Sequence, residues 1–339
     1  MGPHPAVAQV RLAVRHCLSG AGLAPGDLVL AACSGGADSL ALAAALAFEG
    51  PRLGLSAGGV TVDHRLQGGS AQQALKVAKT LEAMGLDPVR AVAVDVARPG
   101  DGGYAGPEAA ARAARYQALD RAAQDTGAVA VLLGHTRDDQ AESVLLGLAR
   151  GSGPRSLAGM PPRQGGCLRP LLEVGRAQTR AACAALGLEP WDDPQNADPG
   201  FARARVRHRV LPVLEAELGP GVAQALARTA GQLRADADLL DSLVNTALQR
   251  LDPGGSGLPV ADLAALHPAL RSRVLRTAAI AAGCPPGALT ARHVASLDAL
   301  VTGWRGQRWA DLPGGVRGRR ACGKLLLHTS DGEGTGGRD

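Results

Sequence analysis

Short apolar blocks recur along the first half of the chain, and each is followed by a longer stretch with helical spacing. Val7 to Leu18 has the period of an amphipathic leading helix. Leu28-Val29-Leu30-Ala31-Ala32 then reads as a buried strand, and Leu40 to Phe48 as the helix packed against it. Gly59-Val60-Thr61-Val62, Val89 to Val96 and Val129 to Leu133 read as a second, third and fourth strand. Ala71 to Met84, Glu108 to Ala123 and Asp138 to Ala149 carry the helices between and after them. Such alternation predicts an α/β fold, a doubly wound and mostly parallel, Rossmann-like sheet covered by helices on both faces. Ligands of such sheets sit beyond the carboxyl ends of the strands. Ser34 to Ser39, Asp63-His64 and Gly134-His135 each begin where an apolar strand stops, so the pattern points to one crevice.

The second half is less regular. Residues 151 to 170 are rich in Gly and Pro and read as loop, Arg176 to Leu186 as helix, and Trp191 to Gly200 as a polar turn before Val206 to Leu218. Pro220 marks a boundary. Beyond it, Val222 to Ala247 and Pro268 to Ala282 are helical, and 307 to 328 alternates around Pro313-Gly314-Gly315 as a small strand pair. With 339 residues, two domains are the default. The expected division is a catalytic domain over 1–218, a smaller, mainly helical domain over 219–328, and a frayed tail over 329–339.

Composition narrows the function classes. The formal charge is +5, from 36 basic and 31 acidic residues, which suits a nucleic-acid partner without demanding one. Lys76, Lys79 and Lys324 are the lysines, so arginine supplies nearly all cationic contacts. Aromatic residues are 2%, which argues against base recognition by stacking platforms. Cysteines 17, 33, 167, 183, 284 and 322 form no C-x-x-C pair, so neither a zinc knuckle nor an iron–sulfur site is suggested, and a reducing cytosol fits them. The apolar stretches are short and interrupted by charge, so a soluble cytoplasmic protein with no membrane partner is expected.

The candidate chemistry lies at two strand-to-helix junctions. In Cys33-Ser34-Gly35-Gly36-Ala37-Asp38-Ser39, two glycines allow close backbone approach to an anion. Ser34 and Ser39 add hydroxyl donors, and Asp38 can hold a Mg²⁺ that offsets phosphate charge. No G-x-x-x-x-G-K-S/T string is present, so the ordinary P-loop is not supported. The competing reading is a Gly-rich turn in which Asp38 or Ser39 caps a helix. At the second junction, Asp139 and Glu142 are three apart on one helix face and could orient a cationic amine, while His135 could act on a phosphate. The plainer alternative is an acidic first helical turn. Arg115, on the preceding helix with Arg112 and Tyr116, either reaches over the crevice or makes a surface ion pair. The run Arg203-Ala204-Arg205-Val206-Arg207-His208-Arg209 either touches a nucleic-acid backbone or is a solvated helix face paired with Glu215 and Glu217.

The first loop resembles the SGGxDS loop of N-type ATP pyrophosphatases, which cleave ATP between its α and β phosphates. The ordered set of motifs goes further. Ser34 to Ser39, Val62-Asp63-His64, Ala111 to Tyr116, Gly134 to Glu142, Arg150 to Gly153, Arg169 to Leu172 and Phe201 to Pro212 resemble the tRNA(Ile)-lysidine synthase family over roughly residues 25 to 215. A weaker likeness covers Leu275 to Leu327.

That resemblance implies an adenine nucleotide alpha-hydrolase-like fold with ATP and Mg²⁺, and a ligase reaction on tRNA(Ile) carrying a CAU anticodon. The C2 oxygen of the wobble cytidine would be adenylated, and the ε-amine of free L-lysine would then displace AMP to give lysidine. It implies Asp139 and Glu142 for the lysine amine, Arg115 and Arg207 for charge at the nucleotide and base, and Asp38 for Mg²⁺. Ser34, Gly35, Gly36, Ala37, Asp38, Ser39, Asp63, His64, Gly134 and His135 would line the ATP site. Three positions depart from the family pattern: Ala204 replaces Asn, Gln195 replaces Ser, and Gln67 stands where Arg is common. A tRNA thiolation enzyme and a non-enzymatic RNA-binding protein are the alternatives, and a homodimer is left open.

Overall fold

The computed structural model describes residues 2–63, 65, 69–94, 107–151, 153–193, 198–252 and 255–329. It comprises two compact units, Met1–Arg234 and Ala235–Asp339.

In the first unit the chain runs α1 (Pro5–Ser19), β1 (Leu28–Ala32), α2 (Ala37–Arg52), β2 (Ser56–Asp63), α3 (Ser70–Ala83), β3 (Val89–Ala93), α4 (Pro107–Thr126), β4 (Ala130–Leu133) and α5 (Arg137–Ala149). A short helix α6 (Pro154–Leu157) precedes the strands β5 (Arg163–Gln164) and β6 (Cys167–Leu168), then α7 (Arg176–Ala185). The helix α8 (Ala202–Arg205) passes through a π-helical stretch, Val206–Val210, into α9 (Leu211–Leu218). The helix α10 (Val222–Leu251) follows.

The local reasons are plain. Pro5 opens α1, where its missing N–H costs nothing, and His4 Nδ1 accepts from the Ala6 amide at 3.2 Å. Val7, Val10, Val14 and Leu18 form its buried stripe. In α2 the face pattern is lost because Leu40 to Ala43, Ala45 and Leu46 are all buried. Alanine lets this helix pack closely against neighbours on several sides.

The sheet order is β3-β2-β1-β4-β6-β5, parallel except for the β5–β6 edge pair. The pleat divides β1 between two cores. Val29 and Ala31 join α1, α2 and α7 on one face, and Leu30 and Ala32 join Leu119 and Ala122 of α4 on the other. Reading outward from β1, the order reverses between β1 and β4. This is the switch point at which doubly wound sheets open a ligand crevice. The strand–helix pattern expected from sequence is therefore present. The segment 151–170, expected to be loop throughout, instead contributes α6, β5 and β6. These pieces are too short for periodicity to reveal.

The second unit adds β7 (Leu258–Pro259), α11 (Val260–Ala265), α12 (Pro268–Ala281), α13 (Ala291–Thr302), β8 (Ala310–Leu312), β9 (Val316–Ala321) and β10 (Lys324–Thr329). Its antiparallel sheet has the order β7-β10-β9-β8, so the expected strand pair is the centre of a four-stranded layer. Leu263, Val274, Leu275, Leu297 and Leu325 fill its core. Arg271 is buried beside it, bound to Asp298 at 2.6 Å and to the Leu266 carbonyl at 2.9 Å. Among the described residues, no helix is long and apolar enough to cross a membrane.

Candidate active site

The loop between β1 and α2 is held by its own backbone and hydroxyls. Ser39 Oγ donates to the Gly36 carbonyl at 2.8 Å and accepts from the Ser34 amide at 3.2 Å, closing the turn. Gly35 has φ +88°, and a Cβ there would stand 2.8 Å from Val77 Cγ2, so glycine is required twice over. The Trp191 amide donates to the Gly35 carbonyl at 2.9 Å and braces the loop. Gly36 occupies the N-cap of α2 without a side-chain cap, leaving the first amides of Ala37 and Asp38 available to an anion.

Asp38 lies in the first turn of α2, with its side chain 23% exposed. It accepts a hydrogen bond from Thr179 and stands 3.5 Å from Arg176 Nε. Burial pushes its carboxyl above the usual range, opposed by the Thr179 hydroxyl and the Arg176 charge. Among the described residues no group of three His, Cys, Asp or Glu side chains is placed to hold a metal. A single open carboxylate beside a phosphate cradle fits Mg²⁺, which is commonly held by one or two carboxylates, water and substrate phosphates.

Across the switch point, Thr136 caps α5. Its amide and hydroxyl donate to Asp139 Oδ2 at 2.8 and 2.9 Å, fixing that side chain. Asp139 Oδ1 accepts from Arg176 Nη2 at 3.0 Å and Arg207 Nη2 at 3.2 Å. Glu142 is fully buried one turn later. Its Oε1 accepts from Arg207 Nε at 2.8 Å and from Arg176 at 3.3 Å, and its Oε2 from Arg203 Nε at 2.8 Å and Arg207 Nη2 at 3.1 Å. Burial alone would raise Asp139, but the charges of Arg176 and Arg203 and the Thr136 amide outweigh it and hold the carboxyl below its ordinary value.

The arginine run is thus helical, and the i, i+4 spacing turns Arg203 and Arg207 onto one face, toward Asp139 and Glu142. Arg205 binds the carbonyls of Pro199 and Gly200 instead. Glu215, a partner of the run in one of the two sequence readings, accepts from the amides of Gly221 at 2.6 Å and Ala223 at 2.9 Å and so caps α10.

Asp38, Asp139, Glu142 and Arg207 are therefore joined in one network, through Arg176. From sequence Arg176 is an ordinary helix start, and nothing local distinguishes it; it stands at N1 of α7. His135 and Arg115 border the network. Burial pushes His135 down to about 3, the nearby Asp139 opposes this, and Arg115, Arg169 and Arg203 reinforce it. Its imidazole is neutral at ordinary pH. Arg115 is likewise lowered by burial and feels the charge of Asp139. Gly134 packs so tightly that a Cβ would come within 3.1 Å of the Asp38 and Ser39 backbone. Asp63 ends β2 and accepts from the Arg65 amide at 2.9 Å. His64, Gln67 and Gln195 lie outside the described residues, and Ala204 is buried on α8.

A glycine-built loop at the switch point of a 3-2-1-4 sheet defines the class, a PP-loop protein of the ATP pyrophosphatase superfamily, and residues 13–214 match the family model of the PP-loop domain. Residues 258–326 match the TilS substrate binding domain. The chain belongs to the tRNA(Ile)-lysidine synthase family. It is 58% identical over 326 residues to the tRNA(Ile)-lysidine synthase of Thermobifida fusca, covering 96% of this chain and 98% of that protein. It is 60% identical over 326 residues to that of Salinispora tropica, covering 95% and 96%. Among solved structures, the U34-tRNA thiolase NcsA from Methanococcus maripaludis with its 4Fe-4S cluster matches at TM-score 0.55 and 20% identity, over 67% of this chain and 79% of the thiolase, a likeness of fold.

Proposed function

We propose that this chain forms lysidine at the wobble cytidine of tRNA(Ile) with a CAU anticodon, using ATP and free L-lysine. The observation that carries the reading is the placement of a buried acidic pair and a phosphate cradle on either side of one switch point. The cradle of Ser34, Gly35, Gly36, Ala37 and Ser39 takes the pyrophosphate end of ATP, with Asp63, His64, Gly134 and His135 along the nucleotide. Asp38 would hold Mg²⁺, which when bound neutralises charge on the departing pyrophosphate.

In the first step the C2 oxygen of cytosine attacks the α-phosphorus, and the bond to the β-phosphate oxygen breaks as pyrophosphate leaves. Arg115 and Arg207 offset the negative charge that develops. In the second step the lysine ε-amine, having lost a proton, attacks C2, and the C2–O bond breaks as AMP leaves. An ammonium is not a nucleophile, so the site must both bind it and remove that proton. Asp139 and Glu142 supply the charge for the first task and the base for the second. Because guanidinium groups saturate both carboxylates here, an entering ammonium exchanges with one of them. The neutral His135 donates or accepts at the nucleotide without adding a competing cation.

The test is incubation with ATP, Mg²⁺, L-lysine and CAU-anticodon tRNA(Ile), followed by mass analysis of the wobble nucleoside and of the nucleotide products. A lysine adduct with AMP and pyrophosphate is expected; ADP and phosphate, or incorporation of sulfur or ammonia, would overturn the reading. Asp38→Asn and Asp139→Asn should each lower turnover on the order of 10²-fold or more, the scale of losing one preorganised electrostatic group, while tRNA binding persists. Loss of tRNA binding alone would point to an RNA-binding module.

A further inference from the structure

We infer that Arg176 is a positioning residue that couples the two half-reactions, by tying Asp38 at the phosphate loop to Asp139 and Glu142 at the amine site. This inference rests on the proposed lysidine reaction.

The geometry is specific to this side chain. Its Nε faces Asp38 Oδ2 at 3.5 Å, its Nη2 donates to Asp139 Oδ1 at 3.0 Å, and both Nη atoms face Glu142 Oε1 at 3.3 Å. Arg203 and Arg207 bind the acidic pair, whereas Arg176 also reaches the loop. Its backbone is pinned as well: the Arg176 amide donates to Asp138 Oδ2 at 2.8 Å, locking the start of α7 to the start of α5. Thr179, one turn on, donates to Asp38. The first turn of α7 therefore carries two contacts to Asp38 and three to the acidic pair. A planar guanidinium can serve several carboxylates in fixed directions, which an ammonium on a flexible stem cannot.

Removing that charge has two separable consequences. Asp38 loses the guanidinium that, together with Thr179, fixes its carboxylate beside the phosphate loop, so adenylation weakens. Asp139 and Glu142 lose one orienting donor, so lysine binding weakens.

The experiment compares Arg176→Gln, Arg176→Lys and the unaltered full chain in lysine-independent pyrophosphate release with tRNA and in the KM for lysine. With Arg176→Gln, release should slow and the lysine KM rise, each by about 10- to 100-fold, the range for residues that orient ligand-bearing side chains. Arg176→Lys should restore much of the release through its charge but not the lysine KM, because an ammonium cannot serve several carboxylates in fixed directions. Effects on one half-reaction alone, or losses that track unfolded protein in a thermal melt, would overturn the coupling role. Equal behaviour of the Lys and Gln variants would do the same. If the unaltered chain makes no lysidine, the functional reading fails and takes this inference with it; an active chain whose Arg176→Gln variant releases pyrophosphate normally sinks the inference alone.

Discussion

The phosphate loop and the acid–arginine network stand at the ends of neighbouring parallel strands, yet they are held in opposite ways. The loop keeps its shape mainly through contacts within six residues, Ser34 to Ser39, with the Trp191 amide as an outside brace, and leaves helix amides open. The network is assembled from α5, α7, α8 and the π-helical stretch, by partners 34 to 68 residues apart in the chain, and its acids have few open lone pairs. One is a preformed receptor for an anion. The other is a closed set of charges that a cation enters by exchange.

Glu142→Ala breaks the second region most severely. It leaves Arg203 and Arg207 facing a site without its buried counter-charge, and stability should fall by about 3 kcal/mol in urea unfolding. A loss below about 1 kcal/mol, the level of an exposed pair, would show that the network is effectively solvated and that the contrast is misplaced.

Gly35→Ala tests the first region. Positive φ and the contact with Val77 should cost about 1–3 kcal/mol, and pyrophosphate release should suffer while the affinity for lysine holds. An equal loss of lysine affinity would mean that the two regions do not respond separately.

The smallest effect at neutral pH belongs to His135, at the seam between them. Its folded value of about 3 lies below the unfolded value of about 6.5. Between these the unfolded chain binds a proton that the folded chain refuses, so stability is full above about pH 6.5 and declines as pH falls toward 3. Asp139, held below its ordinary value, adds its own loss only below about pH 4. Thermal melts between pH 6.5 and 4.5 should therefore flatten in His135→Gln, and an unchanged slope would remove His135 as the cause.

The same contrast explains what could be read in the chain. The switch-point sheet and the loop were legible because strand alternation and Ser34 to Ser39 are local signals. Asp139 and Glu142 were legible as a pair on one helix face, but not as partners of three guanidiniums. Arg176 carried no local mark, since its meaning comes from α7 packing beside α2 and α5. The orientation of Arg203 and Arg207 depended on whether their segment was strand or helix, which spacing left open. The edge strands β5 and β6, of two residues each, have no periodicity to detect.

Gly134 presents a hydrogen where any other residue would present carbon, so the chain leaving β4 rests directly on the backbone at Asp38 and Ser39. With no side chain between them, the peptide leading into Thr136 and the nucleotide loop meet backbone to backbone. Enlarging residue 134 would act as a thin wedge at that seam, asking the Asp38–Ser39 backbone to give way.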